Sequence, residues 1–197
     1  DFNLKKIVLS NRPSINYSKL VLNYGSQTII PKEFESLVKN RNAFSIKPFL
    51  RAYDSILKED IFDSVNELPF VIVGSGLAAI EVSYALRKRW GDRPLKLLCD
   101  SRKINNTILK SLRNSNIDLV EKLNFDYGKI LLCTGNTSPL WAQKKLLDSD
   151  SYGRIITNQN LQIKSFSGIF AVGDCAVVGS AKRPASGVFA VKVVNTL

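Results

Sequence analysis

The stretch FVIVGSGLAAIEVSYAL, Phe70 to Leu86, restricts the fold more than any other part of the chain. Its first four residues are uninterruptedly apolar, which suits a parallel strand covered on both faces. Gly74, Ser75 and Gly76 break that run, and a long amphipathic stretch follows. The spacing predicts a strand over 70–73 and a helix over 77–90, with Ala78, Val82, Ala85 and Leu86 on its inner side. Between them, Gly74-Ser75-Gly76-Leu77-Ala78-Ala79 fits G-x-G-x-x-G/A. In that pattern Gly74 permits a tight turn, Gly76 lets backbone approach a pyrophosphate, and Ala79 lets helix pack closely on strand. A diphosphate would rest on N–H groups at the positive helix end. Arg87, Lys88 and Arg89 stand near the other end, where the helix dipole favours cations.

Residues 95–99 read as the next strand, closing on Asp100, about 20 residues beyond the loop, where a carboxylate accepts hydrogen bonds from an adenosine ribose. That carboxylate makes NADH the first expectation. Arg102 and Lys103 just beyond it keep NADPH open. The competing reading is a plain glycine turn in an α/β core, with Asp100 a loop carboxylate.

The rest of the chain supports an α/β pattern. Ile104, Ile108 and Leu112 are spaced for a helix, and 117–120, 130–133 and 169–172 read as strands. Ser138-Pro139 suits the N-cap and first position of a helix through Leu147. Upstream, 4–10 and 17–24 read as strands, and 31–47 as loop with some turn structure. A helix follows over 48–58, its apolar side formed by Phe49, Leu50, Tyr53, Ile56 and Leu57, and then a linker over 64–68.

Composition removes several classes of function. The net charge is +11, but the basic residues are scattered and not interleaved with aromatics, which argues against nucleic acid. The three cysteines, Cys99, Cys133 and Cys175, form no C-x-x-C pair for redox or zinc chemistry. No metal site is expected. Apolar neighbours suggest reduced, buried thiols and a cytoplasmic protein. With no G-x-S-x-G and no histidine, a hydrolytic triad is disfavoured. No apolar run reaches the length of a membrane span. The absence of methionine and histidine, with a start at Asp1, leads us to expect ordered pieces of a longer chain.

A second signature, TNQNLQIKSFSGIFAVGDCA (Thr157 to Ala176), ends an apolar strand in Gly-Asp. LVLNYGSQ (20–27) and ILLCTGNTSP (130–139) are strand-to-glycine segments, and Glu81 extends the first loop to G-x-G-x-x-A-x-E. With KRPASGVFAVKVVNTL (182–197), these residues resemble the two-dinucleotide-domain flavoproteins, the pyridine nucleotide–disulfide oxidoreductase superfamily. Within it they are most similar to the type II NADH dehydrogenase-like branch and to the flavoprotein module that some bacteria fuse to selenophosphate synthetase.

The resemblance implies a three-layer α/β fold in which a Rossmann-like NAD-binding domain, 66–148, is inserted in an incomplete FAD-binding domain, 1–65 and 149–197. Gly74, Ser75, Gly76, Leu77 and Ala79 would hold the NAD pyrophosphate, Asp100 its ribose, and Gly135 would lie where the last strand of that domain meets the cofactor. Gly25, Gly173, Asp174 and Gly187 would meet FAD, Asp174 accepting from a ribityl hydroxyl and Gly187 lying against the flavin ring. Glu81 would approach the place where nicotinamide stacks on flavin. Asp174 as a helix cap and Glu81 as a solvated helix carboxylate are the competing readings. Cys175 reads as a small buried residue.

The implied reaction is hydride transfer from NAD(P)H to FAD, then electron transfer to a quinone or other small-molecule acceptor. A non-catalytic NAD-binding regulatory module and a flavin-free Rossmann dehydrogenase are the alternatives. A homodimer, and peripheral contact with the inner face of a membrane through a part outside these residues, are compatible with the family. Two departures stand out: no first FAD phosphate loop precedes Lys19, and almost nothing lies between Leu123 and Phe125 where relatives carry a small β-meander.

Overall fold

The computed structural model describes residues 1–61, 68–139 and 147–179. Two compact units divide the chain, one of Thr28–Asn136 and one of Asp1–Gln27 with Thr137–Leu197. Strands β1 (Lys6–Leu9) and β2 (Arg12–Asn16) pair as an antiparallel hairpin, and β3 (Leu20–Leu22) follows. The chain leaves this unit at β4 (Gln27–Thr28).

The unit 28–136 opens with a 3-10 turn at Lys32–Phe34 and the short helix α1 (Glu35–Lys39). Then come β5 (Ala43–Ser45), α2 (Phe49–Ile61), β6 (Phe70–Val73), α3 (Leu77–Trp90) and β7 (Leu95–Leu98). Helix α4 (Asn106–Asn114), β8 (Ile117–Val120) and β9 (Ile130–Leu132) complete it. The chain returns at β10 (Asn136–Thr137), then forms β11 (Ile155–Thr157), β12 (Ile169–Ala171) and β13 (Ala176–Val178).

Strands β5, β9, β6, β7 and β8 form, in that order, one parallel sheet. Its two faces are covered differently. Phe70, Ile72, Leu95, Leu97 and Leu131 pack with Ile56 of α2, Ile80 and Leu86 of α3, and Leu109 and Leu112 of α4. Val71, Val73, Ile130 and Leu132 pack on the opposite face with Phe34, Leu37, Leu123, Phe125 and Tyr127. Burial on both sides explains why β6 is apolar throughout, each fully buried side chain contributing about 1.5–3 kcal/mol.

Several expectations shift. The units divide at 27/28 and 136/137, not at 65/66 and 148/149, because β5 pairs with β9 and α2 packs into the same core. Residues 31–47 are not simply loop, since they include the 3-10 turn, α1 and the edge strand β5. The inner face of α3 is Ala79, Ile80, Ser83, Leu86 and Trp90, so Ala78 and Ala85 face outward. Ser83 tolerates burial because its hydroxyl donates to the Ala79 carbonyl at 2.7 Å. On α2 the buried side is Ala52, Ile56 and Glu59, while Phe49, Leu50 and Tyr53 are exposed. Glu59 is buried because Arg93 meets it at 3.1 Å, and the Arg93 guanidinium also stacks over Trp90 at 4.5 Å. The helix expected through Leu147 lies largely outside the described residues, as does Gly187. Among the described residues no helix is long and apolar enough to cross a membrane.

In the other unit β3 pairs in parallel with β12, and β11 with β13. Ile155, Ile163, Ile169 and Ala171 form its buried centre, with Tyr17, Leu20 and Leu22 packed against them.

Candidate functional site

In an open parallel sheet the crevice lies at the carboxyl ends of the strands, where strand order reverses. Here β7 and β8 lie on one side of β6 and β9 and β5 on the other, so the reversal falls between β6 and β9. A cleft of about 1100 Å³ opens there. It is lined by Val73–Ser75 after β6, Leu98–Asp100 after β7, Glu121–Leu123 after β8 and Thr134 after β9.

The corner after β6 is made by contacts that admit no side chain. Gly74 has φ +146°, donates its N–H to the Leu98 carbonyl at 3.0 Å, and would place a Cβ onto the Cys133 carbonyl oxygen. That Cβ would also lie 3.2 Å from the Cβ of fully buried Ala79, the close helix–strand approach expected of that position. Gly76 behaves differently. It is the N-cap of α3 in extended conformation, φ −92° and ψ 172°, and a Cβ there would meet nothing within 4 Å. As glycine it offers no side-chain acceptor to the first N–H groups of the helix, which are donors an anion can use. Leu77, the first helical residue, is 69% exposed.

Ser75 ties this corner to the neighbouring strand end, its Oγ accepting from the Asp100 N–H at 2.9 Å. Asp100 caps the 3-10 turn Ser101–Lys103, accepting from the Arg102 N–H at 3.2 Å. Hydrogen bonding from the Arg102 side chain, ahead of the charge of Lys103, holds the Asp100 carboxyl below the usual carboxylate range. Gly135 has φ +99° and its carbonyl accepts from the Ile29 N–H at 3.1 Å, beside the cleft residue Thr134. Of the predicted positions Gly74, Ser75 and Asp100 line the cleft, whereas Gly76, Leu77, Ala79, Gly135 and the exposed Glu81 are not among its lining residues.

The remaining positions lie in the other unit. Because β3 and β12 are parallel neighbours, the turn Asn23–Ser26 and the turn Gly173–Cys175 stand together at their carboxyl ends. Gly173 has φ +69°, and a Cβ there would come within 2.7 Å of Asn23 Oδ1. Asp174 is half-buried and accepts from Ser26 Oγ at 3.2 Å. Val172, not Asp174, is the N-cap of this turn. Gly25 has φ +73° and no neighbour within 4 Å of an added Cβ. Cys175 is fully buried, and its thiol donates to the Val172 and Leu22 carbonyls at 3.1 and 3.4 Å. Burial raises its pKa, as it does for Cys99 and Cys133.

Sequence reasoning missed the cover of the cleft. Phe34 and Leu37, and Leu123 and Tyr127, line it, yet the first pair stood in presumed loop and the second in the shortened meander. Their signals were present: Phe34, Leu37 and Val38 have helical spacing, and Leu123, Phe125 and Tyr127 alternate.

No protein-family model matches the chain. Human ferroptosis suppressor protein 1 is 24% identical over 219 residues, covering 92% of this chain and 56% of its own length. A probable NADH dehydrogenase of Dictyostelium discoideum is 25% identical over 218 residues, covering 86% and 48%. The solved NAD-dependent persulfide reductase of A. fulgidus superposes with a TM-score of 0.75 at 20% identity, covering all of this chain and 42% of that one. At 20% identity the last of these likenesses is one of fold. The Rossmann-like α/β expectation holds on this likeness of fold. The chain spans about half the length of the curated relatives it matches.

Proposed function

We propose that the chain carries the nicotinamide-nucleotide site and part of the flavin site of an FAD-dependent NAD(P)H:acceptor oxidoreductase. The observation that carries this reading is the cleft at the β6/β9 reversal, with a corner at Gly74 that no side chain can enter, followed by the open helix N-cap at Gly76. In this reading Gly74, Ser75, Gly76, Leu77 and Ala79 form the pyrophosphate seat, Asp100 meets the ribose, and Gly135 stands where the last strand of the sheet meets the cofactor. In the other unit Gly25, Gly173 and Asp174 fit a second dinucleotide: a close backbone approach and a half-buried carboxylate with lone pairs for a polyol. The cofactors supply hydride and electron transfer when bound, and the protein supplies orientation, charge and exclusion of water. No protein nucleophile is needed, which agrees with three buried thiols. Glu81 retains a role only as a charge near the nicotinamide, and its exposed position makes it the weakest member of the set.

The acceptor in this reading is a quinone or another small molecule. A cytoplasmic location, a homodimer and peripheral contact with the inner membrane face belong to the same proposal, tested by cell fractionation and light scattering. The decisive experiment is spectroscopic. Purified protein should absorb near about 450 nm as oxidised flavin, bleach anaerobically with NADH and recover with a quinone. Colourless protein that still binds NADH would replace this reading with a regulatory module. Flavin-free turnover of an alcohol or hydroxy acid would replace it with a dehydrogenase.

A further inference from the structure

The ladder between β3 and β12 stops short of the two turns that carry the flavin-side positions. Its registered pairs run from Leu20 with Ile169 to Leu22 with Ala171. One more backbone bond follows, from the Val172 N–H to the Leu22 carbonyl at 3.0 Å. Past it the strands give way to residues 23–26 on one side and to the 3-10 turn Gly173–Cys175 on the other. The register of Gly25 against Asp174 therefore depends on contacts beyond the ladder.

The Cys175 sulfur stands where such a contact is needed. Its thiol shares one proton between the Val172 carbonyl at 3.1 Å, beside its own turn, and the Leu22 carbonyl at 3.4 Å, at the end of the neighbouring strand. Burial raises the pKa of the thiol and keeps that proton in place, while hydrogen bonds from the Tyr24 and Gly25 backbones act in the opposite direction. One atom thus engages both turns. We propose that Cys175 is a positioning residue of the flavin-side site, fixing the backbone of Gly25 and the carboxylate of Asp174 relative to each other. The inference rests on the reading of this unit as part of an FAD site.

Three features favour it. First, the sulfur decides which side of Gly25 faces out. With φ +73° and its backbone bonded to the sulfur, Gly25 presents an open α-carbon, and a Cβ there would meet nothing within 4 Å. A dinucleotide uses that kind of close backbone approach.

Second, a ligand would compete for the other contact between the turns. Ser26 Oγ donates to Asp174 Oδ2 at 3.2 Å, and that carboxylate is the group offered to a polyol. Cys175 is fully buried, so its bonds persist when a ligand arrives.

Third, the turns touch closely enough to pass a displacement on. A Cβ on Gly173 would come within 2.7 Å of Asn23 Oδ1. Asp174 is therefore held on both flanks, by Gly173 against Asn23 and by Cys175 against Leu22.

Fluorescence titration of the purified full chain with FAD, with NADH as an internal control, tests this. Cys175→Ala and Cys175→Ser leave gaps of similar size, but only serine keeps a donor and an acceptor, so their difference reads the hydrogen bonds. Cys175→Ala should weaken FAD by about tenfold, and Cys175→Ser should stay within about threefold of the unaltered protein. NADH affinity should stay within about twofold in both, because the nucleotide cleft lies in the unit Thr28–Asn136. Unchanged FAD affinity in Cys175→Ala, equal losses in the two variants, or a parallel loss of NADH would overturn the inference and leave the flavin reading standing. Failure of the unaltered protein to bind FAD would remove the flavin reading itself, and the inference with it.

Discussion

The unit 28–136 and the unit made from 1–27 and 137 onward solve the same packing problem by different routes. In the first, β6, β7 and β8 are neighbours in sequence and space, each reached through one helix, and the five-strand sheet is buried on both faces. In the second, β3 finds its partner β12 only after the whole first unit has been traversed, and among the described residues its pairings are two-stranded. Its hairpin leaves Leu4, Val8 and Ile15 exposed. Local crossovers cost little loop-closure entropy, whereas a distant pairing must be closed before any contact rewards it. The difference teaches that the unit proposed to hold the nicotinamide nucleotide stands on a nearly self-sufficient frame, and the unit proposed to meet flavin depends on chain closure.

That contrast can be broken by substitutions confined to one unit. The largest effect is expected from Gly76→Arg. An arginine there fits the protein without a clash but fills the backbone approach, so NADH binding should vanish while the urea midpoint stays; retained affinity would remove the loop from the site. Arg93→Ala comes next. It strands buried Glu59, and breaking such a pair costs about 3–5 kcal/mol, read as a lower urea midpoint of the β6–β8 region. A loss under about 1 kcal/mol would mean that the pair is effectively solvated. In the other unit, Asp174→Ala should release flavin and leave NADH affinity intact, and stoichiometric FAD after the change would free Asp174 from its proposed role.

Hydrogen exchange compares the two frames directly. Amides of Ile72 and Leu97 should outlast those of Leu22 and Ala171, and the opposite order would reverse the comparison. The smallest effect concerns Cys133, whose thiol burial pushes up to about 12. The folded state keeps a proton that the unfolded chain releases, so stability is full below the ordinary thiol value of 9.0 and falls as pH rises towards 12. Cys133→Ala should flatten that alkaline slope in urea titrations.

Legibility in the sequence followed the same divide. The strand at 70–73 and the helix at 77–90 were readable to the residue, because a short apolar run, a glycine corner and a 3.6-residue period all agree there. The face of α3 was misjudged by one position, since the packing of Ala79 under Gly74 sets the rotation and not hydrophobicity alone. On α2 the apolar residues misled, because an ion pair carried Glu59 inward and left Phe49 and Leu50 outside. The strand β5 is three residues long and pairs with β9, far along the chain, so no local pattern marks it. The place of Asp100 at the end of β7 was readable, but its grip on Arg102 exists only in three dimensions.

The Gly74 corner, filled from both sides by the Cys133 carbonyl and the Ala79 methyl, also sets where this cleft can change. A designer seeking a different coenzyme has no latitude at that apex, where a single added methyl group would push neighbouring strands away from each other. Diversification is confined to the solvent-facing rim at 100–103 and 121–122, where long side chains can be exchanged without disturbing the sheet beneath.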